Sequence, residues 1–360
     1  LRPALLVASY RRLLRHQRTA LVVVAEDNVG GRSRSLVAAA AKLKIPRLLL
    51  PYTFCNPDEP AAALGHLSSH KIRHPLQRLF AAFRPRWSYR GLLRLPLTEA
   101  LAMELCGLAP KNPWVAVCGP AAIAAESPAM LKHYRALGCA EDEVMLTGAP
   151  VDMIFESALA DRATRRSTLR QQHQLENRPI LLCALPPDQL STGSASSEFA
   201  DYADLVAAWA DALSAVSDKF SVLVRPHPRI ADAALEPLRQ RGIAIAHEDT
   251  AGLVPLCDLF VAALSATIRW AIACGQPAIS YDVYRHHYAD YDGLQGVISV
   301  DNAHAFRAVL AELASEPRRL AALACAQAQN AEEWGCLDGG SKERLLALVD
   351  RLIGAAPEAA

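Results

Sequence analysis

No Asp or Glu occurs between Glu59 and Glu99, no CxxC pair or Cys/His cluster has zinc spacing, and no run of eighteen apolar residues is free of charge. Each absence excludes something. Without such an apolar run no helix is expected to span a membrane. Without metal-spaced cysteines, the nine thiols, most of them in apolar runs such as Leu181-Leu182-Cys183-Ala184, read as small core residues of a reducing compartment. The formal net charge of +1 gives no global reason to expect nucleic acid as a partner. No signal-peptide pattern opens the chain, so a cytoplasmic protein is expected.

What is present is an alternation. A chain of 360 residues, 52% of them hydrophobic, can bury ample core and suggests two domains. Leu21 to Ala25 reads as a buried strand, Ser33 to Lys44 as an alanine-rich helix, and Arg47 to Leu50 as a second strand closed by Pro51. Trp114 to Gly119 resumes the pattern, followed by a helix from Ser127 to Leu137 and a strand from Val144 into Gly148-Ala149-Pro150. The charged stretch Asp161 to Gln174 marks a connection, placing a boundary near residue 155. Because Leu1 is not a methionine and no Gly-rich strand precedes Thr19, the amino-terminal domain, 1–155, is expected to be incomplete. Residues 156–360 repeat the alternation as a doubly wound parallel sheet with helices at its end.

Within the first domain, 60–98 interrupts the pattern as a basic insertion. Lys71, Arg73, Arg78, Arg84, Arg86, Arg90 and Arg94 are interleaved with Leu79, Phe80, Phe83, Trp87 and Tyr89. Such a segment (71–94) fits peripheral contact with an anionic membrane face or an acidic polymer, or else is a solvated excursion. A row of His66, His70 and His74 has helical spacing for a metal, but His74-Pro75 is expected to end that helix, so no metal site is assigned.

Three clusters carry candidate chemistry. Glu26-Asp27-Asn28-Val29-Gly30-Gly31 sits where open α/β sheets place ligands, and either carboxylate could serve as a general base; a local Asx turn is the plainer reading. Arg225-Pro226-His227-Pro228 ends a strand, and its prolines fix the backbone so that His227 and Arg225 project at the sheet's carboxyl edge as phosphate donors, or His227 is structural. Ser265-Ala266-Thr267 follows the strand Leu259 to Ala263 and opens a short helix ended by Gly275. The two hydroxyls either face an anion or simply cap the helix.

These residues together, with Gly148-Ala149-Pro150, Asp258-Leu259-Phe260-Val261 and Gly275-Gln276-Pro277, resemble the GT-B-fold glycosyltransferases. The likeness is to bacterial surface-polysaccharide (capsule and lipopolysaccharide) transferases and their relatives, the glycerophosphotransferases and UDP-N-acetylglucosamine 2-epimerases. It implies two Rossmann-like doubly wound domains facing a cleft, with a nucleotide-sugar donor on the carboxyl-terminal domain and a glycan or lipid-linked acceptor on the other. By that resemblance His227, Ser265 and Thr267 face the donor phosphates, with Arg225 expected beside them as a further donor, Asp282 lies where the strand end often approaches the nucleotide, and Asp27, or failing it Glu26, is the base. The expected reaction is metal-independent glycosyl transfer, in which the nucleotide-sugar is substrate rather than cofactor. The Gly-Asp-Thr and Glu-Ala-Gly-Leu-Arg patterns of the 2-epimerases are absent, and Leu50-Pro51-Tyr52-Thr53-Phe54 stands in place of the latter, which lowers the epimerase alternative. A catalytically silent binding module is the other alternative.

Overall fold

The computed structural model describes the chain except for residues 1, 53–55, 118–121, 192, 194, 264 and 355–360. It divides into two compact units, Leu1–Ala149 with Gly340–Ala360, and Pro150–Gly339. The division falls just before the residue-155 boundary expected from composition. The last helix, Ser341–Gly354, belongs with the first unit because its apolar stripe, including Leu348, packs on Leu48 and Ala124.

In the first unit, Val22–Val24 (β1), Arg47–Leu49 (β2), Ser88–Tyr89 (β3), Leu92–Leu93 (β4), Ala122–Ala125 (β5) and Val144–Leu146 (β6) are the strands. β1-β2-β5-β6 is a parallel sheet in that spatial order, and β3-β4 is a small antiparallel ribbon. The helix Arg32–Lys42 buries Val37 through Ala40, small residues that let it lie close to the sheet. The strand expected at Trp114 to Gly119 is instead a buried turn over 114–117, with Cys118 and Gly119 outside the described residues. Trp114 leans on Tyr89, ring centroids 5.5 Å apart, and Val115 and Val117 pack with Leu49 and Ile123. Tertiary packing rather than a ladder therefore satisfies that apolar run, and the less β-prone Ala122–Ala125 forms the strand.

The basic insertion is ordered around acidic residues from outside it. Glu104 receives Arg86 at 2.6 Å, Arg84 at 3.6 Å and the Trp87 indole N–H at 2.6 Å, while Asp58 receives Arg90 at 2.8 Å. Pro75 begins a helix, Pro75–Phe83, rather than ending one, because its missing N–H is harmless at the first position and His74 with Gln77 forms a capping box. None of this helix's residues is buried, and Leu76, Leu79 and Phe83 are 58%, 55% and 70% exposed.

The second unit contains Ile180–Leu185 (β7), Ser221–Pro226 (β8), Ala244–Ile245 (β9), Leu259–Ala263 (β10), Ala278–Tyr281 (β11) and Val297–Val300 (β12). All pairings are parallel, in the order β12-β11-β10-β7-β8-β9. Counted from the first strand of the unit this is 6-5-4-1-2-3, the dinucleotide-fold order, and it reverses between β7 and β10. β7 and β10 are almost wholly buried, as strands covered on both faces must be. On one face Trp209, Tyr281 and Phe306 stack, with centroids 4.8 to 5.5 Å apart. Asp201 caps the helix Tyr202–Ser214 by accepting the Asp204 N–H at 2.9 Å. Gly275 ends the helix Thr267–Ala273 at φ 68°, a left-handed backbone that a side chain would strain.

Candidate functional site

Parallel order puts the carboxyl ends of β7, β8, β10 and β11 on one edge of the second unit, and the order reverses between β7 and β10, the kind of position at which open α/β sheets place ligands. His227 follows β8 at this edge. Its backbone N–H donates to the Leu185 carbonyl at 3.2 Å, and its Nδ1 accepts the Arg229 N–H at 3.2 Å. Burial, then the charges of Arg229 and Arg225, lower the imidazole pKa, so the ring is neutral near pH 7. With Nδ1 accepting, the single ring proton sits on Nε2, which is left as a donor.

Arg225 is less free than the sequence suggests. Its Nε donates to the Glu248 carbonyl at 2.6 Å and one terminal nitrogen donates to the Pro226 carbonyl. Nε thus ties β8 to the segment after β9, the first terminal nitrogen is held within β8, and the second terminal nitrogen, without a partner among the described residues, remains for a ligand.

Ser265 and Thr267 combine both readings offered above. Ser265 Oγ accepts the Thr267 N–H at 3.2 Å and lies 2.9 Å from Thr267 Oγ1, while the Ser265 carbonyl accepts the Tyr291 hydroxyl at 3.0 Å. The pair is therefore a local turn cap. Since one hydroxyl donates to the other, one O–H is left over for an outside acceptor. Two strand spacings separate the ends of β8 and β10, about 10 Å, a span that a diphosphate and its sugar can bridge.

Asp282 is engaged within its own segment. Its Oδ1 accepts the His286 N–H at 2.8 Å and its Oδ2 the His287 N–H at 2.7 Å, so both oxygens hold the turn 283–287. Arg285 and His287 have positive φ in that turn, which explains why a carboxylate is needed to fix it. Asp282 shapes the edge rather than reaching out from it.

The loop after β7 was not singled out in the sequence, yet it starts at the reversal. Pro186 and Pro187 present carbonyls to the hydroxyls of Tyr202 at 2.6 Å and Tyr284 at 2.5 Å, and Gln189 lies 3.2 Å from His286 Nε2. His286 also stacks on Tyr288, 5.0 Å between centroids at 7°. Only the strand order could have pointed to this loop, and strand order is not a local property.

In the first unit the two candidate bases part company. Asp27 is 1% exposed and forms an ion pair with the equally buried Arg34, whose Nε donates to the Leu108 carbonyl at 3.1 Å. Burial raises its pKa, against the pull of Arg34 and Arg47. A sequestered carboxylate cannot meet a substrate hydroxyl, so Asp27 is a structural partner and the preference for it over Glu26 reverses. Glu26 lines an open cavity of about 330 Å³ with Asn28, Tyr52, Asn56, Glu59 and Arg94. Arg94 donates to Asn28 at 2.8 Å, and Asn56 accepts the Glu59 N–H at 2.8 Å. Desolvation in the pocket and the Glu26 charge raise the Glu59 pKa, with Arg94 opposing, although part of Glu59 reaches solvent. Two carboxylates and a guanidinium in one cavity can hold and move a proton. Glu59 and Arg94 were missed as site residues because they lie more than thirty positions from Glu26.

Among the described residues no group of three His, Cys, Asp or Glu side chains is placed to hold a metal ion. His70 Nδ1 is 2.9 Å from the Leu93 carbonyl, and His74 Nδ1 accepts the Leu76 N–H.

No known protein-family profile and no curated protein matches this chain. Solved structures do. S. aureus MnaA in complex with UDP superposes with a TM-score of 0.57 over 99% of this chain and 83% of its own, at 11% identity. UDP-GlcNAc 2-epimerase from Neisseria meningitidis bound to UDP-GlcNAc gives 0.52 over 96% and 80%, at 12% identity. A putative UDP-N-acetylglucosamine 2-epimerase from Listeria monocytogenes gives 0.54 over 99% and 80%, at 11% identity. The chain therefore has the two-domain Rossmann-like architecture of the GT-B fold. Among the described residues no helix is long and apolar enough to cross a membrane.

Proposed function

We propose that this chain is a nucleotide-sugar-dependent glycosyltransferase that moves a sugar to a hydroxyl of a glycan or lipid-linked acceptor in surface-polymer synthesis. The observation that carries the reading is the strand reversal in the second unit with His227 Nε2–H and the Ser265/Thr267 hydroxyls on the same edge. These donors, with the free nitrogen of Arg225, neutralise charge on the departing diphosphate as the bond from C1 to its oxygen breaks. In an inverting reaction Glu26 takes the proton of the acceptor hydroxyl as that oxygen bonds to C1, in a cavity that Arg94 also lines. The exposed Leu76, Leu79 and Phe83, with Arg73 and Arg78 beside them, hold the enzyme at an anionic membrane face where a lipid-linked acceptor is found.

A second reading is a nucleotide-sugar 2-epimerase. It is favoured by the structural neighbours, two of which are described as 2-epimerases. The experiment supplies UDP-sugars with and without a polyprenyl-linked or oligosaccharide acceptor and follows UDP release and sugar interconversion. Release that requires acceptor, and that falls at least a hundredfold in Glu26→Gln, supports transfer. Interconversion without acceptor supports the epimerase. Neither, with no nucleotide bound, leaves a silent module.

A further inference from the structure

The first unit holds a second and larger cavity, lined by none of the residues given a role in the transfer, and the inference drawn from it rests on the lipid-linked acceptor of that reading. It has a volume of about 570 Å³ and begins at Gly30-Gly31, where the eleven-residue helix Arg32–Lys42 starts. Gly31 caps this helix with no side-chain hydrogen bond, so the N–H groups of Arg32, Ser33 and Arg34 have no acceptor among the described residues. Such an end attracts anions.

Two nine-tenths buried side chains add to it. Ser35, 6% exposed, lines the cavity, and its hydroxyl has no partner among the described residues. Arg34, 5% exposed, spends Nε on Leu108 and one terminal nitrogen on Asp27, while its second terminal nitrogen has no partner there. The Ser35 hydroxyl and the second terminal nitrogen of Arg34, neither of them partnered among the described residues, are donors that residues lining the cavity can offer to an acceptor. The lining also includes Leu6, Leu95, Ala102, Met103 and Leu108, whose side chains are apolar, with Thr98 among them. Glu99, on the exposed helix Leu97–Leu105, is the carboxylate among the lining residues.

We infer that this cavity binds a phosphate group carried on an apolar chain. The helix start, Ser35, Arg34 and the exposed Arg32 take the phosphate oxygens, and the aliphatic walls take the chain. Inorganic phosphate would fill only the polar end. A neutral alcohol would leave the donors unpaired.

The test is calorimetric titration of n-octyl phosphate, below its micelle concentration, into the full chain, with inorganic phosphate and 1-octanol alongside. Octyl phosphate is expected to bind one to one and at least about tenfold more tightly than inorganic phosphate, since burying two methylenes suffices for that ratio. Arg32→Gln and Ser35→Ala should each weaken it about tenfold, Ala102→Trp should abolish it by filling the cavity, and Glu99→Gln should strengthen it. Absence of saturable binding at millimolar concentration, affinity equal to that of inorganic phosphate, or unchanged affinity in Arg32→Gln and Ser35→Ala overturns the inference. UDP binding is read on the same samples. It depends on the second unit, so loss of UDP binding with octyl phosphate retained counts against the glycosyltransferase reading alone.

Discussion

The two ends of the sheet in the second unit are built from similar residues to opposite effect. At the amino end, Asp258 receives Arg166 through two nitrogens at 2.6 and 2.8 Å, Arg162 at 3.4 Å and the Ile180 N–H at 2.7 Å. Arg166 also donates to the Leu256 carbonyl, and Arg162 to that of Cys257. At the carboxyl end, His227 keeps Nε2–H, the Ser265/Thr267 pair keeps one O–H, and Arg225 keeps one terminal nitrogen. At the amino end Asp258 is met from several sides and only Arg162 Nε, which is buried, is left without a partner among the described residues, so the cluster stabilises the fold. At the carboxyl end several donors remain together on one edge, where a ligand can meet them. Asp282 shows that position alone does not decide this, because it lies at the open end and is nonetheless consumed by the His286 and His287 N–H groups.

The comparison can be broken by substitution. Asp258→Ala should have the largest effect on stability, about 2 to 3 kcal/mol by denaturant unfolding, because it leaves Arg166 and the Ile180 N–H unpaired. Nucleotide affinity per folded molecule should not change. Asp282→Ala should cost about 1 to 2 kcal/mol and should also weaken nucleotide binding, as the 283–287 turn loses its anchor. An Asp282 variant that binds as wild type would separate that turn from the site. His227→Ala should change stability least, by under about 0.5 kcal/mol, because its ring makes one bond to a backbone N–H that water can replace.

Acid should sharpen the same contrast. Burial on its own raises the Asp258 pKa, but Arg166, the Ile180 N–H and Arg162 pull it below the usual carboxylate range. A group depressed in the folded state binds more protons when unfolded, so its stabilisation is complete above the unfolded pKa of about 4 and is lost as pH falls below it. Wild type should lose stability there, and Asp258→Ala should lose less. His227, also depressed, destabilises the fold from its unfolded pKa of about 6.5 downward. A bound anion favours the imidazolium, so nucleotide affinity should rise as pH falls from neutrality toward the depressed imidazole pKa, and this rise should vanish in His227→Ala.

Much of the second unit was legible in the sequence, for a physical reason. Its strands are continuous apolar runs buried on both faces, and the punctuation at Pro226, Gly275 and Pro277 marks their ends. That placed His227, Ser265 and Thr267 on one edge without any coordinates. That Asp282 anchors a turn was not legible, because the turn contains two left-handed residues that no local pattern announces. Asp27 and Glu26 are neighbours in sequence, and only the position of Arg34, one helix turn into the next element, decides which of them is buried. Trp114 to Val117 has strand composition but finds its partners in side-chain packing. The loop after β7 and the Glu26–Glu59–Arg94 cavity exist only once distant segments meet.

The most direct measurement is calorimetric titration of UDP into wild type and His227→Ala. The account predicts saturable binding by wild type, weakened about tenfold or more in the variant at equal thermal stability. No UDP binding to wild type, or the same affinity in both proteins, would contradict it.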